Sequence, residues 1–435
     1  MTQFSQQPTA SIPQACGSWP EIKAAYRFFD NEAVEPQQLL EPHRQATLRR
    51  IHGRAVVLAV QDTTTLNYST HPQTEGLGPV GNNPDKTLGL FLHTTLALSV
   101  AGEPLGILAA AIQARDPRQY GRSQDAQRRN RTPLKEKESQ RWLESLSVCQ
   151  QLAQSCPETL LINVADREAD IYELFAQALH RTAHPQVHLL IRAQHDRLVQ
   201  APQKRLWEFL AAQPVATTLP VKLPRHTGQP KRTAQLAIRF SPVTLSAPLL
   251  KAGQPALALW AIQASEEKVL PGQERILWRL LTTLPVNEAS AAVEKVQWYS
   301  QRWQIEVFHK VLKSGCRVEQ RQLQTRTRLQ RVLMLDLVVA WRVMQLSRTA
   351  RETPQAPANQ WLTQSEWQVL WCRQNHGQPL PEIAPDIKQA VRWIGQLGGF
   401  IGRKSDGEPG PIVLWRGLQR LHDMADTWNL LYTYG

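Results

Sequence analysis

The sequence predicts an α/β fold built on a mixed sheet, and three observations predict it. Between Ala55 and Arg192 the apolar runs fall in the order strand, strand, strand, helix, strand, helix, strand. Two of those strands, at 55–60 and 159–164, run out at an aspartate, Asp62 and Asp166. Far downstream, residues 298–313 contain no Gly or Pro and read as a helix. At roughly 100° per residue, Arg302, Glu306 and Lys313 fall within about 60° of Tyr299 on that helix, with Ile305, Phe308 and Leu312 on the opposite, core-facing side.

Taken in order, residues 1–15 are polar and read as a leader. From 19 to 51 apolar residues recur at helical spacing (Ile22, Ala25, Tyr26, Phe29, then Leu39 and Leu40) and end in Arg49-Arg50. The β-branched run 55–60 reads as a buried strand with Asp62 just past its end, where an aspartate is ordinarily a turn residue. A Gly/Asn/Pro loop follows at 75–84. Runs 88–100 and 105–113 are strands joined by Ala101-Gly102-Glu103-Pro104, which makes a meander. The next loop holds Arg115, Arg118, Arg122, Arg128, Arg129 and Arg131, a cluster suited to phosphate contact.

Residues 135–152 read as helix and 159–164 as the fourth strand. Asp166 then opens a helix to about His180, where taken singly it is a cap. Residues 187–192 are the fifth strand. Closed by the helix at 298–313, this order is the topology of a ribonuclease-H-like fold. Such folds bring together one carboxylate from the first strand, one from the end of the fourth and one from a late helix: here Asp62, Asp166 and Glu306.

Residues 195–286 exceed what such a domain needs. Their short strands, at 216–223, 233–240, 256–263 and 276–284, read as an inserted β domain. The expected division is a helical N-terminal unit at 1–54, a catalytic domain at 55–194 and 287–348, the insert at 195–286, and a helical C-terminal unit at 349–435.

Fifty Lys plus Arg against 37 Asp plus Glu leave the chain at +13, so the expected partner is a polyanion, nucleic acid first. Five scattered cysteines without a C-x2-C pair exclude a zinc finger and fit reduced thiols in the cytoplasm. Neither a signal sequence nor an apolar run of membrane-spanning length is present, and there is no G-x4-G-K-[ST]. Neither a membrane role nor a nucleotide cofactor is expected.

The spacing Tyr-x2-Arg-x3-Glu-x6-Lys from Tyr299 to Lys313, and Asp-Arg-Glu-Ala-Asp at 166–170, resemble the signature of bacterial DDE transposases of the insertion-sequence-4 family. Ala25-Tyr26-Arg27-Phe28-Phe29-Asp30-Asn31 resembles that family's N-terminal DNA-binding unit. Residues 397–407 and 414–418 resemble its C-terminal pairing segment. The resemblance implies metal-dependent cut-and-paste transposition: end nicking, hairpin formation by the freed 3′-hydroxyl, hairpin opening and strand transfer. It implies Asp62, Asp166 and Glu306 as ligands of two Mg²⁺ ions, with Mn²⁺ able to substitute, since hard cations take oxygen donors.

The same resemblance implies Tyr299, Arg302, Lys313, Arg192 and His309 as DNA-binding residues. It makes Trp278 a stacking platform for an unpaired base, with a core tryptophan as the alternative. The implied partners are double-stranded DNA, as terminal inverted repeats and target, and a second copy of the chain on that DNA, at the nucleoid of a bacterial cytoplasm. Relatives carry a basic helical stretch ahead of the Ala25 segment that this sequence lacks. A second expectation therefore stands beside the first: an N-terminally shortened, inhibitory DNA-binding regulator of a longer transposase.

Overall fold

Strand β1 (Val56–Asn67) sets the frame. Its first half is apolar and buried on both faces, and the threonines after Asp62 keep the β-branched preference. The strand therefore does not stop at Asp62, as the sequence suggests, but continues to Asn67. The computed structural model describes residues 12–16, 18–81, 87–117, 137–180, 187–223, 232–251, 253–269, 275–403 and 406–434.

A two-residue strand β2 (Gly78–Pro79) pairs with the start of β3 (Leu88–Ser99). β1 pairs antiparallel with β3 from Val57↔Ser99 to Asn67↔Gly89. β3 pairs antiparallel with β4 (Pro104–Gln113). On its other side β1 pairs in parallel with β5 (Leu160–Ala165), but only as far as Val60↔Val164. β5 pairs in parallel with β6 (His188–Arg192). The order β4-β3-β1-β5-β6 is the one expected of a ribonuclease-H-like sheet.

Residues 195–286 add β7 (Thr217–Leu223), β8 (Arg232–Leu245), β9 (Leu257–Glu266) and β10 (Leu277–Thr282). They do not fold back into a sheet of their own. β10 lies antiparallel on β6 through Leu280↔Arg192, Leu281↔Ile191 and Thr282↔Leu190, which extends one ten-stranded sheet among the described residues. Without it, β6 would present an open row of backbone donors and acceptors.

Helices α1 (Trp19–Asp30) and α2 (Pro36–Ile51) precede the sheet. On one face, α3 (Gln140–Ala153), α4 (Tyr172–Leu179) and α5 (Leu206–Ala211) share a core with Val57 and Ala59. On the other, α6 (Ala289–Ser300), α7 (Trp303–Lys310) and α8 (Arg326–Glu352) share a core with Leu58 and Val60. Three more helices follow: α9 (Gln364–Gln374), α10 (Ile387–Leu397) and α11 (Pro411–Tyr434). No helix among the described residues is long and apolar enough to cross a membrane.

Edge strand β4 is closed by side chains rather than by another strand. From α2, Gln37 donates to Ala110 O (2.7 Å), Arg44 to Leu108 O (2.9 Å) and Arg50 to Leu105 O (3.0 Å). From α8, Gln330 donates to Ile112 O (2.7 Å) and Trp341 to Pro104 O (3.1 Å). α2 comes this close because Gly106 has no side chain: a Cβ there would stand 1.9 Å from Thr47 Oγ1.

The single helix expected over 298–313 is broken. Gln301 N–H bonds Trp298 O and Arg302 N–H bonds Tyr299 O, a tight turn between α6 and α7, and 311–315 widen into a π-turn. The core requires the break. In a straight helix Tyr299 and Phe308 would lie about 180° apart, yet both are buried on the same side of the sheet.

Candidate active site

Because β5 leaves β1 at Val60, the strand from Gln61 onward is paired on one side only. Asp62, in line with Leu58 and Val60, faces α7 across this opening. Asp166 follows β5 directly and accepts the N–H of Glu168 at 2.9 Å, capping the 3₁₀ turn Arg167–Ala169. The long helix expected at Asp166 starts only at Tyr172. Asp170 is drawn off instead by Arg197 and by the N–H groups of Gln194 (2.7 Å) and His195 (2.9 Å).

Glu306 stands on the first turn of α7 with its side chain 57% exposed, and Arg302 donates to it. The same guanidinium lies 3.5 Å from Asp62. Burial pushes the Asp62 carboxyl up to about 6, and the like charges of Asp166 and Glu306 push the same way. Arg302 and the Thr63 N–H, which donates to Asp62 Oδ1 at 2.7 Å, oppose them. Three acids from a strand, a strand end and a helix thus share one electrostatic neighbourhood with one arginine bridging two of them. Among the described residues no group of three or more His, Cys, Asp or Glu stands close enough together to hold a metal ion.

Beside Arg302, Tyr299 is buried edge-on against half-buried Trp278, ring centres 5.4 Å apart, and burial pushes its hydroxyl up while the nearby charges of Arg302 and Arg192 oppose that rise. Arg192 also donates to Leu277 O at 3.1 Å, which ties β6 to β10. Lys313 is not brought to the carboxylates. It lies 3.9 Å from Glu319, which accepts the Asn67 N–H, and Asn67 is five steps of about 3.3 Å along the strand from Asp62.

His309 is a correction. Expected at the DNA, it is only 6% exposed and beside Phe308. His309 lies only about 40° from Ile305 around the helix axis, so it is carried into the core with Ile305 and Phe308. Burial, with Lys313 adding to it, pushes the imidazole down to about 3, so it carries no charge for a phosphate.

Of the expected arginine cluster, Arg115 pairs with Glu138, while Arg118, Arg122, Arg128, Arg129 and Arg131 lie outside the described residues. The back of β1 was missed by sequence reasoning: Gln61, Thr63 and the buried His93. The available signal was alternation, since residues flanking a site aspartate in a strand must point to the other face.

The family description "Transposase DDE domain" matches residues 109–341, more than half of the chain. The chain belongs to the DDE transposases. Asp166 and Glu306 of this transposase fall inside the match, and Asp62 precedes it. Two further descriptions match: "Transposase DNA-binding" at 1–34 and "Transposase Tn5 dimerisation domain" at 338–433. Both fall where the sequence resembles a DNA-binding unit and a pairing segment. Among solved structures the transposase is similar to piggyBac transposase in a synaptic complex with hairpin DNA, at 11% identity and a TM-score of 0.35. The likeness covers 75% of this chain and 56% of that one, so the chain spans little more than half the length of that relative.

Proposed function

We propose that this transposase cuts and joins DNA phosphodiesters at transposon ends, with Asp62, Asp166 and Glu306 as its catalytic carboxylates. The observation that carries the reading is the meeting of Asp62 and Glu306 at one guanidinium, with Asp166 at the end of the neighbouring strand; burial and the two further acids push the Asp62 carboxyl up, and Arg302 and the Thr63 N–H oppose them. A strand acid, a strand-end acid and a helix acid converging where β1 and β5 part form a place for phosphoryl chemistry, at the carboxyl ends of parallel strands.

The chemistry of the donor set suits hard divalent cations, Mg²⁺ with Mn²⁺ as substitute: it is all carboxylate, its like charges push the Asp62 carboxyl up, and the three acids would have to draw together around an ion. Asp62, Asp166 and Glu306 would hold the ions, which when bound supply activation of the attacking hydroxyl and neutralisation of the leaving oxygen. Arg302, which now balances Asp62 and Glu306, would turn its two-pronged guanidinium to a phosphate beside the scissile one. Arg192, braced by Leu277 O, offers the next cation, and Lys313 another at the end of β1. Trp278 offers a ring for a base out of the stack, worth about 1–3 kcal/mol.

Nicking, hairpin formation, hairpin opening and strand transfer would then run at one set of carboxylates, each step a displacement at phosphorus. Residues 1–54 would serve end recognition, and 349–435 the pairing of two copies on DNA. Asp62→Asn, Asp166→Asn and Glu306→Gln test the reading on duplexes carrying the inverted repeats that flank the gene. Each should lose Mg²⁺-dependent cleavage while keeping salt-sensitive DNA binding. Near-normal cleavage by any one removes that residue from the site.

A further inference from the structure

We propose that His93 is a positioning residue for Asp62, holding its two chain neighbours from the back of the sheet. The inference rests on the assignment of Asp62 to the active site. His93 lies on β3 directly opposite Thr63. Side chains alternate along β1, so while Asp62 faces α7, Gln61 and Thr63 face α3. There Thr63 Oγ1 is 2.9 Å from His93 Nδ1, and Gln61 Oε1 is 3.1 Å from His93 Nε2. The ring is 3% exposed and sits edge-on to Trp142 at 4.6 Å.

Burial, with Arg141 next, pushes His93 down to about 3, so the imidazole is neutral and has one donor and one acceptor. An amide oxygen only accepts. Nε2–H therefore donates to Gln61, and Nδ1 is left to accept the Thr63 hydroxyl. Both capacities are spent on the neighbours of Asp62. Thr63 passes the constraint forward, because its backbone N–H donates to Asp62 Oδ1 at 2.7 Å. This is also where β1 has lost its β5 ladder, so the imidazole supplies at 61–63 a second restraint that strand pairing supplies at 56–60.

The molecule contains a matched control. His43 is likewise buried and edge-on to a tryptophan, Trp341 at 4.7 Å, and burial with Arg50 pushes it down to about 4. It accepts the Ile107 N–H at 3.1 Å, at the contact of α2 with β4.

The experiment compares His93→Leu, His93→Gln and His43→Leu in the full chain. The readouts are Mn²⁺ binding without DNA by electron paramagnetic resonance, single-turnover cleavage against Mg²⁺ concentration, and melting temperature. Removing a side chain that orients a ligand typically costs about 10–100-fold in metal affinity or activity, and His93→Leu should fall in that range with DNA affinity unchanged. His93→Gln, which keeps a donor and an acceptor, should recover most of the loss. His43→Leu should lose melting temperature without moving Mn²⁺ binding. Thr63→Val removes only the hydroxyl and should shift Mn²⁺ binding in the same direction, which keeps the test decisive if His93→Leu does not fold. The proposal is overturned if Thr63→Val and the His93 variants shift Mn²⁺ binding no more than His43→Leu, or if Gln serves no better than Leu. Cleavage-competent Asp62→Asn would overturn the site assignment beneath it. Inactive Asp62→Asn beside unaltered His93 variants overturns the positioning role alone.

Discussion

Two arginine–carboxylate groupings in this transposase use the same chemistry to opposite ends. Arg321 meets Asp336 with two hydrogen bonds, 2.6 and 3.1 Å, and the side chains are 5% and 1% exposed. One charge answers one charge, out of water, between α8 and the loop before it. At Asp62, one guanidinium serves two of three carboxylates, in a setting open enough for Glu306 to be mostly solvated. Burial raises both aspartates, but Asp336 has only its arginine to oppose that rise, whereas Asp62 has two further acids to reinforce it. The ratio of acids to bases, together with access to water, separates a buried one-to-one pair from a solvent-facing excess of acid.

The sharpest way to break this contrast is to neutralise one member of each grouping. Asp62→Asn or Glu306→Gln should reduce cleavage by at least about a thousand-fold, since metal-assisted charge stabilisation is several kcal/mol and each 1.4 kcal/mol is tenfold. The fold should persist, as circular dichroism will show. Asp336→Ala should instead lower unfolding stability by about 3–5 kcal/mol in urea titration, because it strands a buried guanidinium. Replacing both partners, Arg321→Met with Asp336→Leu, should restore most of that loss; a harmless Asp336→Ala would erase the distinction.

A pH scan sharpens the contrast. Asp62 has a folded pKa of about 6 against an ordinary 3.8, so between those values the folded state binds more protons and stability falls as pH rises. Wild type carries the full penalty above about pH 6 and none well below pH 4. Asp62→Asn should therefore be more stable than wild type at pH 7.5, by up to about 3 kcal/mol at 1.4 kcal/mol per pH unit separating the two values. The advantage should vanish near pH 3.5. Equal melting curves at both pH values would deny the clustered charge. The smallest effect expected is on DNA binding: Arg302→Ala and Lys313→Ala should each reduce the log–log salt slope by about 0.9. An unchanged slope for Arg302→Ala would leave it an internal counter-ion only.

Much of this site was readable in the chain. Asp62 and Asp166 stand out because each follows a β-branched run, and Arg302 with Glu306 because a four-residue helical spacing survives the local distortion. What escaped detection depends on distant partners. The threonines after Asp62 read equally as turn or strand until β3 pairs with them. Nothing in Ser300-Gln301-Arg302 announces a break; the demand to bury both Tyr299 and Phe308 produces it. His93 looks like one more residue of an apolar strand until the register sets it opposite Thr63. The strands of 195–286 were legible one by one, but their attachment to β6 rests on three residue pairs that no local pattern specifies.

The capping of β4 has a consequence for how the chain is made. Gln37, Arg44 and Arg50 are synthesised before the strand whose middle carbonyls they take, so that part of the edge can be shielded as soon as it leaves the ribosome. Its two ends wait for α8: Gln330 follows Ile112 by 218 residues, and Trp341 follows Pro104 by 237. At synthesis rates of about 5–20 residues per second, that delay is roughly 10–50 s. Through that interval the nascent chain carries a half-finished apolar border. A slow codon stretch or a truncation ahead of residue 330 would prolong its exposure, and self-association of the nascent chain, rather than loss of chemistry, is the first failure to look for in shortened forms.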